Sequence, residues 1–345
     1  MNSVRKYVKL NLQYFAEMNV NTLTGAGGLS NENKVFYDRT LIEEAGPYLV
    51  HDQFGQKRNV PKNGGTTINF RKYASLPAAT QPLTEGVTPD GEKLSVSAET
   101  AELQQYGRYV TITDVLDLSG VDNNIMEATK VIGRQMGITL DKVTRNILQA
   151  GTNVYYCPKI SSSGVKTAVN DRSELDKTSR LTVDMVKRVV AFLRSVNAPT
   201  FGGYYVGIIN PLAAYDLMSD EKWEDAHKYT DADSIYKGEL GRIAGVRFVE
   251  SSEAAIYTGT ENDCPNGLAV FGTLFIADGA YGTTEVDGDG ARTIIKQLGS
   301  GGTADPLDQR ATVGWKAMKT AKILIQAYMV RVESCGEFSG EAEAN

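Results

Sequence analysis

An α+β fold is predicted by three features of the chain. Polar and apolar residues alternate between about Gln56 and Thr113, one long helical period runs from Val121 to Gly151, and the later half intermixes short helices with short apolar runs. With 345 residues there is enough chain for about two ordinary domains. The composition, 41% hydrophobic and 23% charged with 34 glycines, excludes collagenous and wholly disordered classes. No run approaches the ~18 apolar residues of a membrane span, and the basic residues Arg5, Lys6 and Lys9 are followed by no apolar stretch of the kind a signal peptide carries.

Residues Met1 to about Asn33 lack a sustained period and read as an arm. From Lys34 to Leu49, apolar residues at Val35, Phe36, Leu41, Ile42 and Ala45 suit a short helix ended by Gly46-Pro47. Beyond Gln56, Ile68 and Phe70 alternate with Asn69 and Arg71, and Val96, Ala98, Tyr109 and Thr111 continue the strand pattern. Between the strands lie Pro77, Pro82, Gly86, Pro89 and Gly91, which favour a shaped loop. Few large apolar residues line these strands, so they cannot form a core by themselves. A long hairpin that projects toward partners, or one folded down on its own subunit, satisfies the pattern, and the projecting form is the expectation.

The strongest helical signal has Ile125, Ile132, Met136, Val143 and Ile147 on one stripe, with Ser119 and Asp122 available as N-caps and Gly151 at the C-cap position. Gly133 and Gly137 within it share a face, fitting either a close backbone neighbour or two tolerated weak positions. A polar stretch, Ser161 to Arg180, precedes a helix capped by Thr182 and carrying Val183, Val186, Val190 and Leu193. Strands follow at Tyr204–Ile209, Gly245–Glu250 and Leu268–Ile276, and Asn210-Pro211 opens a helix. Arg292–Leu298 reads as a strand, and Lys319–Glu333 as one long central strand, apolar on both faces.

Catalytic chemistry is sparse in this sequence. Both histidines, His51 and His227, read as surface residues, and neither has the spacing of a zinc site. Cys157, Cys264 and Cys335, far apart and odd in number, suit free thiols in a reducing, cytoplasmic setting. Asp287 and Asp289 lack the remaining ligands of a calcium loop and read as a turn. Gly25, Gly27 and Gly28 follow no strand and lack the Lys-Ser/Thr of a phosphate-binding loop. No cofactor and no metal is expected. A net charge of -6 argues against a protein that grips phosphates, yet is compatible with a wall that encloses nucleic acid.

Four segments carry a family resemblance: LNLQYFAE (Leu10 to Glu17), INFRKYASLPAATQPLTEGVTPDG (Ile68 to Gly91), QYGRYVTITD (Gln105 to Asp114) and DPLDQRATVGWKA (Asp305 to Ala317). Together they resemble the major capsid proteins of tailed bacteriophages, in particular the family named after phage N-four, over nearly the whole chain. The resemblance implies the tailed-phage major capsid fold known from phage Hong Kong 97, with an N-terminal arm (1–54), an extended β-hairpin loop (55–113), a peripheral domain with a long spine helix (114–180), an axial domain (181–290) and returning strands (291–345). It implies a non-enzymatic shell protein, forming hexamers and pentamers of itself around phage double-stranded DNA, alongside portal and decoration proteins. The region before the hairpin is short, so a separate scaffolding protein, or none, is expected.

On that basis Arg71, Lys72 and Glu85 on the hairpin, and Asp308, Arg310 and Trp315 near the C-terminus, are the candidate assembly contacts. Arg310 serves equally well in an internal ion pair, and Trp315 suits a core position. Two other readings compete: an encapsulin-like nanocompartment shell, and a carbohydrate-active or tail-associated protein that would use the β-rich hairpin and 17 tyrosines.

Overall fold

The computed structural model describes residues 41, 44–45, 48–59, 66–73, 76, 78–83, 85–86, 88, 90–119, 124–161, 163–223, 241–265, 267–285, 291–300 and 305–345. In chain order the strands are β1 (Gln56–Arg58), β2 (Thr67–Tyr73), β3 (Val96–Glu102), β4 (Gln104–Thr113), β5 (Val154–Tyr156), β6 (Lys159–Ile160), β7 (Lys166–Thr167), β8 (Tyr205–Ile209), β9 (Arg242–Ile243), β10 (Val246–Glu250), β11 (Ile256–Tyr257), β12 (Val270–Ile276), β13 (Tyr281–Thr284), β14 (Ala291–Lys296), β15 (Arg310–Lys319), β16 (Ala321–Ile323) and β17 (Met329–Ser334). The helices are α1 (Asp114–Ser119), α2 (Asn124–Gln149), α3 (Val183–Ser195) and α4 (Pro211–Met218). Two compact units divide the chain: residues 1–44, 107–133 and 292–316 form one, and 45–106, 134–291 and 317–345 the other.

The larger unit is organised by a seven-stranded sheet of order β5-β17-β12-β8-β10-β9, with β11 paired to β12. β8 and β10 run parallel, β12 is antiparallel to β8 and β17, and β17 is parallel to β5. Every residue of β8 (YVGII) and β12 (VFGTLFI) is buried, as continuous apolar runs require when both faces of a sheet are covered. Alternation sends Tyr205, Ile209, Phe271 and Phe275 into a core with α3 and α4. It sends Val206, Ile208, Leu274 and Ile276 into a second core with Leu148.

The local start signals are partly as expected. Asn210 Oδ1 accepts from Leu212 N at 2.9 Å and Pro211 occupies the first turn of α4. Thr182, in contrast, makes no side-chain cap for α3; Asp220 Oδ2 takes that role, accepting from Val183 N at 2.9 Å. A carboxylate brought in by the fold replaces the hydroxyl that the sequence offers nearby.

The expected single strand over Lys319–Glu333 is broken in three. β15 ends at Lys319, β16 covers Ala321–Ile323, a 3-10 turn spans Gln326–Tyr328, and β17 follows. The break is made by the backbone: Leu324 N and Ile325 N both donate to Ala280 O, at 2.9 and 3.1 Å, and Tyr328 N donates to Ile325 O. A run that is apolar on both faces has no period to distinguish one straight strand from two strands and a turn. The central position holds for β17, between β5 and β12.

α2 has 26 residues, about 39 Å at the standard rise. Its buried side chains include Thr129, Ile132, Met136, Leu140, Asp141, Thr144, Arg145, Leu148 and Gln149, whereas Val143 and Ile147 are half-buried. Polar residues therefore hold positions that apolar periodicity assigned elsewhere. Ser119 ends α1, and Asp122 lies outside the described residues. A Cβ at Gly137 would sit 2.6 Å from Ala45 O, and one at Gly133 3.0 Å from Leu41 O, so the glycine pair marks a close backbone approach. Leu41, Glu44 and Ala45 are helical, consistent with the short helix expected there.

Also in the larger unit, β1-β13-β16 form a small sheet and β2 pairs antiparallel with β3 in the register Thr67↔Glu102 to Tyr73↔Val96. Ile68, Phe70, Ala101 and Leu103 form a small buried cluster with Met318 and Leu324 against it. The base of the hairpin thus has a packed face, more apolar than its composition suggested. In the smaller unit the sheet order is β14-β15-β4.

Candidate functional site

The hairpin presents its other face to solvent. Asn69 and Arg71 are exposed, Asn69 Oδ1 accepts from Thr100 Oγ1 at 2.9 Å, and Arg71 faces Ala98 across the strands. Lys72 is half-buried opposite Ser97, on the face of Phe70. Glu85 is exposed in the connecting segment, beside Gly86 at φ +79°. Leu83 and Leu94 are 79% and 68% exposed.

The C-terminal segment is a turn built on one carboxylate. Asp305 Oδ2 accepts from Arg310 N at 2.8 Å, its Oδ1 lies 3.8 Å from Arg310 Nε, and its carbonyl accepts from Asp308 N at 3.1 Å. Asp308 adopts φ +54°, a left-handed conformation that aspartate tolerates better than most residues. Arg310 therefore joins an internal pair while its side chain stays half exposed, and Trp315 is buried at 2%. Asp308, Arg310 and Trp315 share the smaller unit; Arg71, Lys72 and Glu85 belong to the larger.

A buried ionic centre in the larger unit was not legible in the sequence. Lys319 is fully buried; its Nζ donates to Asp52 Oδ1, to Thr283 Oγ1 at 2.8 Å and to Thr284 O at 3.0 Å, which uses all three of its donors. Asp52 Oδ1 also accepts from Thr283 Oγ1 at 2.5 Å. Burial pulls the Lys319 amine below its ordinary value, and the Asp52 charge opposes that shift. Beside it His51 is fully buried, not a surface residue: Asp141 accepts from His51 N through Oδ1 and meets His51 Nδ1 through Oδ2, both at 2.7 Å. Tyr281 OH donates to His51 O at 2.5 Å, and burial raises that phenol well above its usual range.

A second buried charge, Glu333 on β17, receives a bidentate pair from Arg172 at 2.6 Å for each bond. This hydrogen bonding raises the Arg172 pKa, and the guanidinium also lies 4.0 Å from the Tyr257 ring centroid. Arg331 Nε is 2.9 Å from the same carboxylate without a hydrogen-bonding angle, so its contribution is Coulombic. Polar segment 161–180 is thereby tied to the central sheet.

Most of these groups are committed to protein partners, whereas His51 Nε2 and Arg331 Nε are buried with no hydrogen bond. Cys157, Cys264 and Cys335 are free, buried thiols, and burial raises all three, Cys335 to about 12; a thiol so held is a poor nucleophile. One recess of about 230 Å3, lined by Tyr155, Tyr156, Asn170 and Arg188 among others, holds no carboxylate, histidine or thiol. Among the described residues no three His, Cys, Asp or Glu side chains are grouped to hold a metal ion, and no helix is long and apolar enough to cross a membrane. His227, Asp287, Asp289 and the glycines Gly25, Gly27 and Gly28 lie outside the described residues.

Comparison with solved structures places this architecture. The cyanophage Pam1 capsid subunit aligns with a TM-score of 0.59 at 13% identity, covering 86% of this chain and 93% of the other. The capsid of cyanophage P-SCSP1u gives 0.58 at 12% identity over 82% and 87%, and the head of Helicobacter pylori bacteriophage KHP40 gives 0.57 at 12% over 80% and 87%. No curated protein sequence matches the chain significantly. A family model described as phage capsid protein matches residues 130–269, a region that includes neither of the two segments, Ile68–Gly91 and Asp305–Ala317, on which the sequence resemblance chiefly rests. Residues 130–269, from the second turn of α2 to the residue before β12, thus match a phage capsid protein family model, and over more than three quarters of its length the chain has the fold of phage capsid proteins.

Proposed function

We propose that this chain is the major capsid protein of a tailed bacteriophage, a non-catalytic subunit that assembles with copies of itself into a closed shell around double-stranded DNA. The observation that carries the reading is the agreement between a capsid family match in the middle of the chain and a capsid fold spanning its elements on both sides. Residues 1–54 serve as an arm, 55–113 as the extended loop, 114–180 as the peripheral domain with α2 as its spine, 181–290 as the axial domain, and 291–345 as returning strands.

In this reading specificity lies in interfaces. A thin shell gains stability from many modest contacts closed by symmetry, and a projecting loop adds overlap that flat edges lack. Arg71, Lys72 and Glu85 act in contacts between subunits of hexamers and pentamers, and Asp308 and Arg310 shape or join a contact of the smaller unit. Trp315 anchors that unit internally, in keeping with its burial. Shells form in the bacterial host cytoplasm with a separate scaffolding protein or none, and join portal and decoration proteins in the virion.

Electron microscopy and sizing of the purified protein, alone and coexpressed with a neighbouring scaffold gene, test this. Closed shells or capsomer-sized rings are expected. A persistent monomer or trimer under all conditions overturns the proposal.

A further inference from the structure

The β9 end of the seven-stranded sheet, its edge among the described residues, carries an arrangement that the fold does not need. β9 and β10 form a hairpin through Ala244 at φ +52° and Gly245 at φ +85°, the two left-handed residues that a tight primed turn requires. Ile243 and Val246 pair across it and are buried. The next pair outward is Arg242↔Arg247, two like charges directly opposite one another, an arrangement that opposes strand pairing.

Both guanidiniums lie over one ring. Arg242 Cζ is 4.7 Å and Arg247 Cζ 5.9 Å from the Tyr204 centroid. Both side chains are exposed, and among the described residues neither has a carboxylate partner. The tyrosine gives both guanidiniums a shared neighbour without supplying a counter-charge, so the edge holds two exposed, like-charged guanidinium groups side by side. Planar donors so placed match an oxyanion, which can take two bonds from one guanidinium and further bonds from the other. Among the described residues β9 is also the last strand of its sheet, with no strand paired on its outer side.

We propose that Arg242 and Arg247 form a clamp for a carboxylate presented by a second copy of this chain, an inference that rests on the self-assembly reading above. Charge complementarity favours this occupant. Each copy carries 42 acidic against 36 basic residues, so a neighbouring subunit brings surplus carboxylates, while the net charge of -6 disfavours a nucleic-acid phosphate.

The test compares wild-type protein with Arg242→Gln/Arg247→Gln and with Arg242→Lys/Arg247→Lys under assembly conditions, reading particle yield by light scattering and fold by circular dichroism. The glutamine variant is expected to stay folded and to lose assembly by about tenfold, and the lysine variant to fall between, because charge without the fork is partial recognition. Equal assembly of all three overturns the clamp and leaves the shell reading standing; failure of the wild type to assemble overturns both. Should the glutamine variant misfold, the lysine variant decides, and wild-type yield from it counts against the clamp. Unchanged assembly with lost binding of a fluorescent DNA oligonucleotide identifies a phosphate occupant and overturns the carboxylate assignment.

Discussion

Lys319 and Asp52, 267 positions apart, form an ion pair in which neither residue is exposed. The pair joins the end of β15 to the segment ahead of β1, and Thr283 on β13 completes it. Removing one partner of such a pair leaves an uncompensated buried charge. Lys319→Ala is therefore expected to cost about 3–5 kcal/mol in urea unfolding. Lys319→Met combined with Asp52→Asn, which leaves no buried charge, should recover part of that loss.

Asp141 uses one oxygen for the His51 backbone and the other for its ring. Asp141→Asn keeps the shape but replaces one acceptor with an amino group. A loss of about 1–3 kcal/mol is expected, read as a lower melting temperature. An unchanged melting temperature would show that the carboxylate is dispensable there.

For Gly137→Ala two effects compete. Helix propensity favours alanine by about 1 kcal/mol, but the new Cβ would meet Ala45 O at 2.6 Å and Ala45 Cα at 3.0 Å, both backbone atoms. The clash should win, with a net loss of roughly 1–3 kcal/mol. Gly133→Ala, whose nearest contacts are at 3.0 Å, should cost less. Chemical denaturation of both variants gives the order.

The Cys335 thiol is raised from 9.0 to about 12. Between those values the folded state keeps a proton that the unfolded state releases, so stability is complete below pH 9 and falls as pH rises through the window. One such group contributes a slope of up to about 1.4 kcal/mol per pH unit. Unfolding measured at pH 8 and pH 10.5 should show a shallower decline for Cys335→Ser than for the wild type.

Glu85→Lys is expected to impair assembly while leaving subunit melting unchanged, because the residue is exposed on the hairpin segment. Trp315→Ala should do the reverse first, lowering subunit stability by about 3–5 kcal/mol through a cavity in the smaller unit. Paired melting and particle-yield measurements separate the two effects.

What the sequence made legible was governed by local rules. Asn210-Pro211, the continuous apolar runs of β8 and β12, and the long period of α2 each have a cause within a few residues, and each element stands where that cause puts it. The buried centre had no such cause. Asp52, Asp141, Thr283 and Lys319 come from four separate segments, so no local pattern brings them together. His51 was misplaced for the same reason, since its partner lies 90 positions away. Thr182 lost its cap to Asp220, and the strand from Lys319 was cut by bonds to Ala280, both effects of distant chain on local preference.

The placement of β17 has a consequence for synthesis. Its neighbours, β5 and β12, leave the ribosome well before it, yet they can be joined only through it. Until residues 329–334 emerge, β5 and β12 lack the strand that lies between them in the finished sheet. A translation product cut short before that point lacks the strand that joins β5 to the rest of the sheet. Sheet order thereby makes closure of this sheet wait on one of the last strands to be synthesised.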